Sequence, residues 1–193
     1  MRLAIFGGTF DPIHRAHVVM AEEAANRFHL DRVLFVPAAN PPHKSGFTFA
    51  PYEDRLRMVE LVAGGDARFE VSRLEQGSER SYSIDTVERV RTGLTPDDEL
   101  FFLIGADAFA EIETWHRWKE LIAMVAFLVV SRPGHHYRIP EGAKVERLET
   151  VDLPVSSSDI RNALAAGKRP AQIPEPVLEY IFQHGLYFVP VRA

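Results

Sequence analysis

Residues 1–17 read MRLAIFGGTFDPIHRAH, and this stretch decides the fold. Residues 2–6 are a short apolar run, long enough for one buried strand. Gly7 and Gly8 end that run, Asp11 and Pro12 turn the chain, and a helical pattern opens near Ile13. Strand, glycine turn and helix is the order in which an open α/β sheet presents an anion site. The backbone can come close where there is no Cβ, and the helix N-terminus aims free N–H groups at negative charge. His14 and His17 stand three apart, on one side of a helical turn, and supply donors that are charged or neutral near pH 7. The plainer reading of the same residues is a glycine turn with two surface histidines. Neither the dinucleotide fingerprint nor a Walker lysine is present. A zinc site would need a third ligand beside the histidines, and the sequence places none there.

The rest of the chain continues the alternation. Apolar positions at Val19, Met20, Ala24 and Phe28 predict a helix over 16–28, and residues 32–36 a strand stopped by Pro37. A long irregular loop, AANPPHKSGFTFA, fills 38–50. Pro51 suits the first turn of a helix running to about Ala63, closed by Gly64 and Gly65. A short strand over 69–71 precedes a helix over 84–91, capped by Ser81 or Ser83 and ended by Gly93. Residues 100–104 are continuously apolar, which predicts a central strand covered on both faces. A helix over 117–123, a strand over 126–130 and an edge strand over 145–148 follow. Ser156 or Ser157 caps a helix to Ala166, and the last helix spans 176–183, closed by Gly185. Such alternation with right-handed crossovers predicts the α/β class: a Rossmann-like, doubly wound, mostly parallel sheet with helices on both faces and a small helical segment at the C-terminal end. Sheets of this kind bind ligands beyond the carboxyl ends of their strands.

Composition narrows the function. A chain of 193 residues without repeats or linkers predicts a single domain over 1–193. The net charge of −5 argues against a nucleic-acid partner, so any phosphate site must be a local concentration of Arg, Lys and His. With no cysteine there are no disulfides, thiolate metal sites or cysteine nucleophiles. The longest apolar run, 121–130, is too short to span a bilayer, and the N-terminus reads as a strand rather than a signal peptide. The expectation is a cytoplasmic protein with no membrane partner. No exposed stripe marks an interface, which leaves a homo-oligomer open.

Three further places carry chemistry. In PVSSSDIRNAL, 154–164, serines at a helix start and Arg161 one turn in make a second anion-binding helix N-terminus, or else a serine-rich cap with a solvated arginine. The stiff loop around His43 and Lys44 follows the second strand and puts a cation at the ligand-binding edge. Asp107, just past Gly105 at a strand exit, suits a ribose hydroxyl or a metal. Trp115 offers a flat face for a heterocycle, whereas Trp118, ahead of Leu121 and Ile122, reads as core.

GGTFDPIHRAH, NPPHK, SYSIDTV, FFLIGADAF, ETWHRWKEL, SRPG and VSSSDIR, in this order, resemble the bacterial nicotinate mononucleotide adenylyltransferases. That family lies in the nucleotidylyltransferase superfamily, marked by a His-x-Gly-His signature and a distal serine-rich motif ending in arginine. The resemblance runs nearly the whole chain, to VLEYIFQHGLY. It implies attack by the phosphate of nicotinate mononucleotide on the α-phosphorus of ATP, giving nicotinate adenine dinucleotide and pyrophosphate. The attacking group is already an oxyanion, so no general base and no covalent intermediate are needed. Positioning and charge stabilisation then carry catalysis, with Mg2+ carried on ATP rather than held by dedicated protein ligands.

The resemblance also assigns residues. His14, His17, Lys44 and Arg161 form the catalytic set, with His17 nearest the reacting centre. Gly7, Gly8, Thr9 and Phe10 shape the phosphate loop, while Ser157, Ser158 and Arg161 hold the triphosphate and Gly105 and Asp107 face the ATP ribose. Nicotinate mononucleotide falls to Lys44, Tyr82, Thr86, Trp115 and His116, its ring against Trp115 and its carboxylate on main-chain N–H groups. Two departures stand out. Ala16 replaces the family glycine, a change that favours a helix by about 1 kcal/mol but adds a methyl group near the nucleotide. Val155 and Ser158 stand where isoleucine and threonine are usual, and Ser158 keeps the hydroxyl. Phosphopantetheine adenylyltransferases share the first signature but are shorter, usually have threonine where His14 sits, and lack SYSIDTV and ETWHRW. Class I aminoacyl-tRNA synthetases share a histidine signature, but this acidic chain has no room for tRNA-binding domains. A nucleotide-binding regulator that has lost catalysis would find its only opening at Ala16.

Overall fold

The computed structural model describes residues 1–41, 48–132, 134, 136–149 and 155–188. Six strands form one sheet in the order β3-β2-β1-β4-β5-β6, and every pairing is parallel. The strands are β1 Arg2–Gly8, β2 Arg32–Pro37, β3 Phe69–Val71, β4 Glu99–Gly105, β5 Ala126–Ser131 and β6 Lys144–Glu149. The helices are α1 Arg15–Arg27, α2 Tyr52–Ala63, α3 Ser83–Arg91, α4 Ala106–Ala110, α5 Trp118–Met124, α6 Ser157–Ala165 and α7 Glu175–His184. The last two are the C-terminal helical segment.

Alternation along the central strands builds a core on each face. Ala4 and Phe6 of β1, Phe101 and Leu103 of β4, and Leu128 and Val130 of β5 face one cluster, shared with α1, α2, α6 and α7. Ile5, Phe102, Ile104, Phe127 and Val129 face the other, shared with α3, α4 and α5. Each large side chain so buried contributes about 1.5–3 kcal/mol. Runs that look uniformly apolar are therefore two interleaved faces, as the 100–104 run predicts.

Four boundaries differ from the sequence reading. Gly7 and Gly8 do not end β1 but continue it, paired with Val36 and Pro37. His14 stands outside α1 as its N-cap rather than on the helix. Neither Ser81 nor Ser83 caps α3; Tyr82 holds that position, and Ser81 Oγ accepts from the Asn40 N–H instead. Gly105 leads directly into α4, a short helix that the sequence reading left out. Ser156 does cap α6, accepting from the Asp159 N–H at 3.0 Å.

Gly8 has a steric reason distinct from ligand approach. A Cβ there would lie 2.9 Å from the ring of Phe10, which is itself buried. Gly8→Ala should therefore cost about 1–3 kcal/mol, read as a fall in the urea midpoint. An unchanged midpoint would show that the Phe10 ring yields freely.

Because β2 lies on one side of β1 and β4 on the other, the chain changes direction between β1 and β4. Their carboxyl ends open a crevice there.

Candidate active site

After β1 the chain turns through Thr9 to Ile13 under a buried hub. Asp11 is 3% exposed and its carboxylate accepts from the Phe49 N–H at 2.7 Å, the Ala50 N–H at 3.1 Å and the Tyr187 hydroxyl at 2.7 Å. Arg161 donates to the Asp11 carbonyl at 2.8 Å, and the fully buried Arg55 donates to the carbonyls of Thr9 and Ala38. This network fixes the turn that delivers the two histidines.

The His14 and His17 rings stack, with centroids 3.8 Å apart. The His14 backbone N–H donates to His17 Nδ1 at 3.2 Å, so a neutral His17 carries its proton on Nε2. His17 rests edge-on against Phe10 at 5.1 Å. His14 is 6% exposed, and burial pulls its pKa down to about 4. It is therefore neutral at pH 7 before any anion arrives. Its folded pKa lies below the unfolded value, so His14 favours unfolding as pH falls from about 6.5 toward 4 and has no such effect above that window. An NMR titration of the free protein should place the His14 midpoint near 4, and bound triphosphate should raise it. A midpoint near 6.5 without ligand would contradict the burial argument.

A cavity of about 380 Å³ lies at the carboxyl ends of β1 and β4, within the size range of small-molecule sites. Gly7, Gly8 and Thr9 line it from β1 and its exit, and His17 and Met20 from α1. Phe102, Ile104 and Gly105 line it from β4. Tyr82, between Ser81 and Ser83 at the entry to α3, forms the far wall with Trp115 and His116. The His116 ring lies on Tyr82, centroids 4.3 Å apart, and Trp115 packs edge-on to Phe102 at 6.2 Å. A Cβ at Gly105 would meet no atom within 4 Å. Gly105→Ala should thus leave the melting temperature unchanged while raising KM for ATP; a lower melting temperature with unchanged KM would reverse that reading.

The structure thus brings Gly7, Gly8, Thr9, His17, Tyr82, Gly105, Trp115 and His116 into one cavity. Of the other expected residues, it puts none of those it describes on the cavity wall. Phe10 is 2% exposed in the core, so only its backbone can serve a phosphate loop. Thr86 is 3% exposed on the inner side of α3, its hydroxyl donating to Glu75 Oε1 at 2.6 Å. His14 lies behind His17, and Asp107 is exposed on the first turn of α4. Ser157 and Ser158 open α6, while Arg161 is buried and donates to Ser158 Oγ at 3.0 Å as well as to Asp11. Lys44 lies outside the described residues. Trp118, expected as core, is half-buried against the second cluster.

Among the described residues Glu75 is the carboxylic acid on the cavity wall, and sequence reasoning missed it. It is 7% exposed, and burial pushes its carboxyl up against the pull of Ser81, Thr86 and the Ala39 N–H. Nothing in RLEQGSER distinguishes an inward carboxylate from a solvated one. Among the described residues no group of three His, Asp or Glu side chains could hold a metal ion, and no helix is long and apolar enough to cross a membrane.

A parallel sheet with a nucleotide-sized crevice at its switch point defines a class, and residues 5–163 match the cytidylyltransferase-like family model. A Solibacter usitatus protein named "probable nicotinate-nucleotide adenylyltransferase" is 62% identical over 187 residues, covering 97% of this chain and 100% of the relative. A Thermus thermophilus protein of the same name is 43% identical over 190 residues, covering 97% and 100%. The chain belongs to the nicotinate-nucleotide adenylyltransferase family. Its fold is also that of the Plasmodium falciparum nicotinic acid mononucleotide adenylyltransferase solved with NaAD, with TM-score 0.80 and 21% identity over 99% of each chain.

Proposed function

We propose that this enzyme transfers AMP from ATP to nicotinate mononucleotide, releasing pyrophosphate and nicotinate adenine dinucleotide. The observation that carries the reading is that one cavity is lined by His17 and Gly105 and also by Tyr82, Trp115 and His116. Two nucleotides meeting along it would bring phosphate to α-phosphorus near His17. The acceptor phosphate is already anionic, so the chain has only to orient it and stabilise the charge that develops on the α-phosphate and the leaving pyrophosphate.

In this reading His17 Nε2 donates to the reacting phosphate, and His14, neutral beforehand, gains its proton as the triphosphate arrives. Gly7, Gly8, Thr9 and the Phe10 backbone shape the phosphate loop, and Gly105 leaves room for the ATP ribose beside Asp107. Ser157 and Ser158 offer the N-terminus of α6 to the outer phosphates. Arg161 orients Ser158 and the Asp11 turn, and its remaining N–H groups serve the same phosphates. Lys44 neutralises phosphate where the substrates meet. The nicotinate ring lies against Trp115, beside Tyr82 and His116, with its carboxylate on main-chain N–H groups. Thr86 acts through Glu75 rather than by touching the ring. Mg2+ enters as part of the ATP substrate. The whole chain works as one domain in the cytoplasm, without nucleic acid or membrane.

The test follows the α-phosphate. With α-labelled ATP, Mg2+ and nicotinate mononucleotide, label should pass into the dinucleotide and none should remain on the protein. Label retained by the protein when the acceptor is omitted would overturn direct transfer.

A further inference from the structure

Arg117 occupies a left-handed backbone conformation, φ 52° and ψ 37°, immediately after two cavity residues and at the N-cap of α5. An arginine there carries strain that glycine would not. Its guanidinium makes two forked pairs. Nε and Nη2 donate to Glu120 at 2.9 and 2.7 Å, and Nη2 and Nη1 donate to Glu88 at 2.6 and 3.2 Å. Asp85 lies 3.7 Å from Nη1. Glu88 belongs to α3 and Glu120 to α5, so one side chain ties together the helices that carry the far wall of the cavity. Tyr82 caps the first of them, and Trp115 and His116 lead into the second.

All these charges are partly exposed, so the clamp adds little to global stability. What forked pairs do fix is geometry, because each sets direction as well as distance.

We propose that Arg117 is a positioning residue for the acceptor nucleotide, holding Trp115 and His116 against Tyr82 from outside the cavity. The proposal rests on the acceptor binding at that wall. Arg117→Gly separates the clamp from the backbone, since glycine accepts the left-handed conformation while losing both forks. Steady-state kinetics should show KM for nicotinate mononucleotide raised about tenfold, as expected for weakened hydrogen bonds to a charged group, with KM for ATP and kcat within about twofold. Glu88→Gln should move the same constant less, and Arg117→Lys should not restore it, since an ammonium makes no fork.

Hydrogen exchange of the ligand-free proteins supplies the readout that does not depend on turnover. Amides of 114–119 should exchange faster in Arg117→Gly, with the sheet unchanged. Unchanged exchange would overturn the clamp. Faster exchange with an unaltered acceptor KM would overturn its positioning role. A wild-type protein inactive with nicotinate mononucleotide would instead sink the proposed substrate, with exchange still deciding the clamp.

Discussion

His17→Ala should lower kcat by about 10²–10³, the scale for removing one donor to developing charge, with the chain still folded. His17 lies on the cavity wall with Nδ1 accepting from the His14 N–H, so Nε2 carries the proton of the neutral ring. The fold loses little. The ring rests on Phe10 and Phe6, and it accepts a long hydrogen bond from the His14 N–H at the helix start. His14→Ala should act less directly, because that ring is buried behind His17 and neutral until ligand binds. Rapid-quench measurement of a single turnover isolates the chemical step. A loss below tenfold in His17→Ala would remove it from the catalytic role.

Asp11→Ala should produce the largest stability loss. Two backbone N–H groups and the Tyr187 hydroxyl lose their acceptor, and Arg55, fully buried, loses an opposing charge. Leaving a buried charge and several donors uncompensated costs about 3–5 kcal/mol, or roughly 10 °C in melting temperature for a chain of this size. Tyr187→Phe alone should cost about 1–2 kcal/mol, and much less once Asp11 is gone, because the two act through one hydrogen bond. A melting temperature within 3 °C of wild type for Asp11→Ala, against the roughly 10 °C expected, would show that the hub is dispensable.

The contrast between these residues shows what the sequence makes legible. The sheet is written in short apolar runs bounded by glycine and proline, and those runs give the strands, the parallel order and the crevice. His17, Gly105, Tyr82 and Trp115 are readable because their motifs stand at strand exits or helix starts, where topology alone aims them at one edge. Thr86 and Phe10 sit inside equally recognisable motifs, yet the structure turns both inward. Helical phase directs Thr86 to Glu75, and the positive φ of Phe10 folds its ring over Gly8. Asp11 and Tyr187 are 176 positions apart, and no local pattern announces a long-range hydrogen bond. The same limit hides Arg117, whose partners come from two helices.

The most direct measurement is pyrophosphate release with ATP and Mg2+, offering nicotinate mononucleotide, nicotinamide mononucleotide and phosphopantetheine separately. Fast release with the nicotinate substrate alone is the predicted result, and it assigns discrimination to the ring's carboxylate at the Trp115 wall. Comparable release with both pyridine nucleotides would contradict that selectivity. No release with any of the three, in a folded protein that binds ATP, would contradict the enzyme itself and point to the methyl group of Ala16.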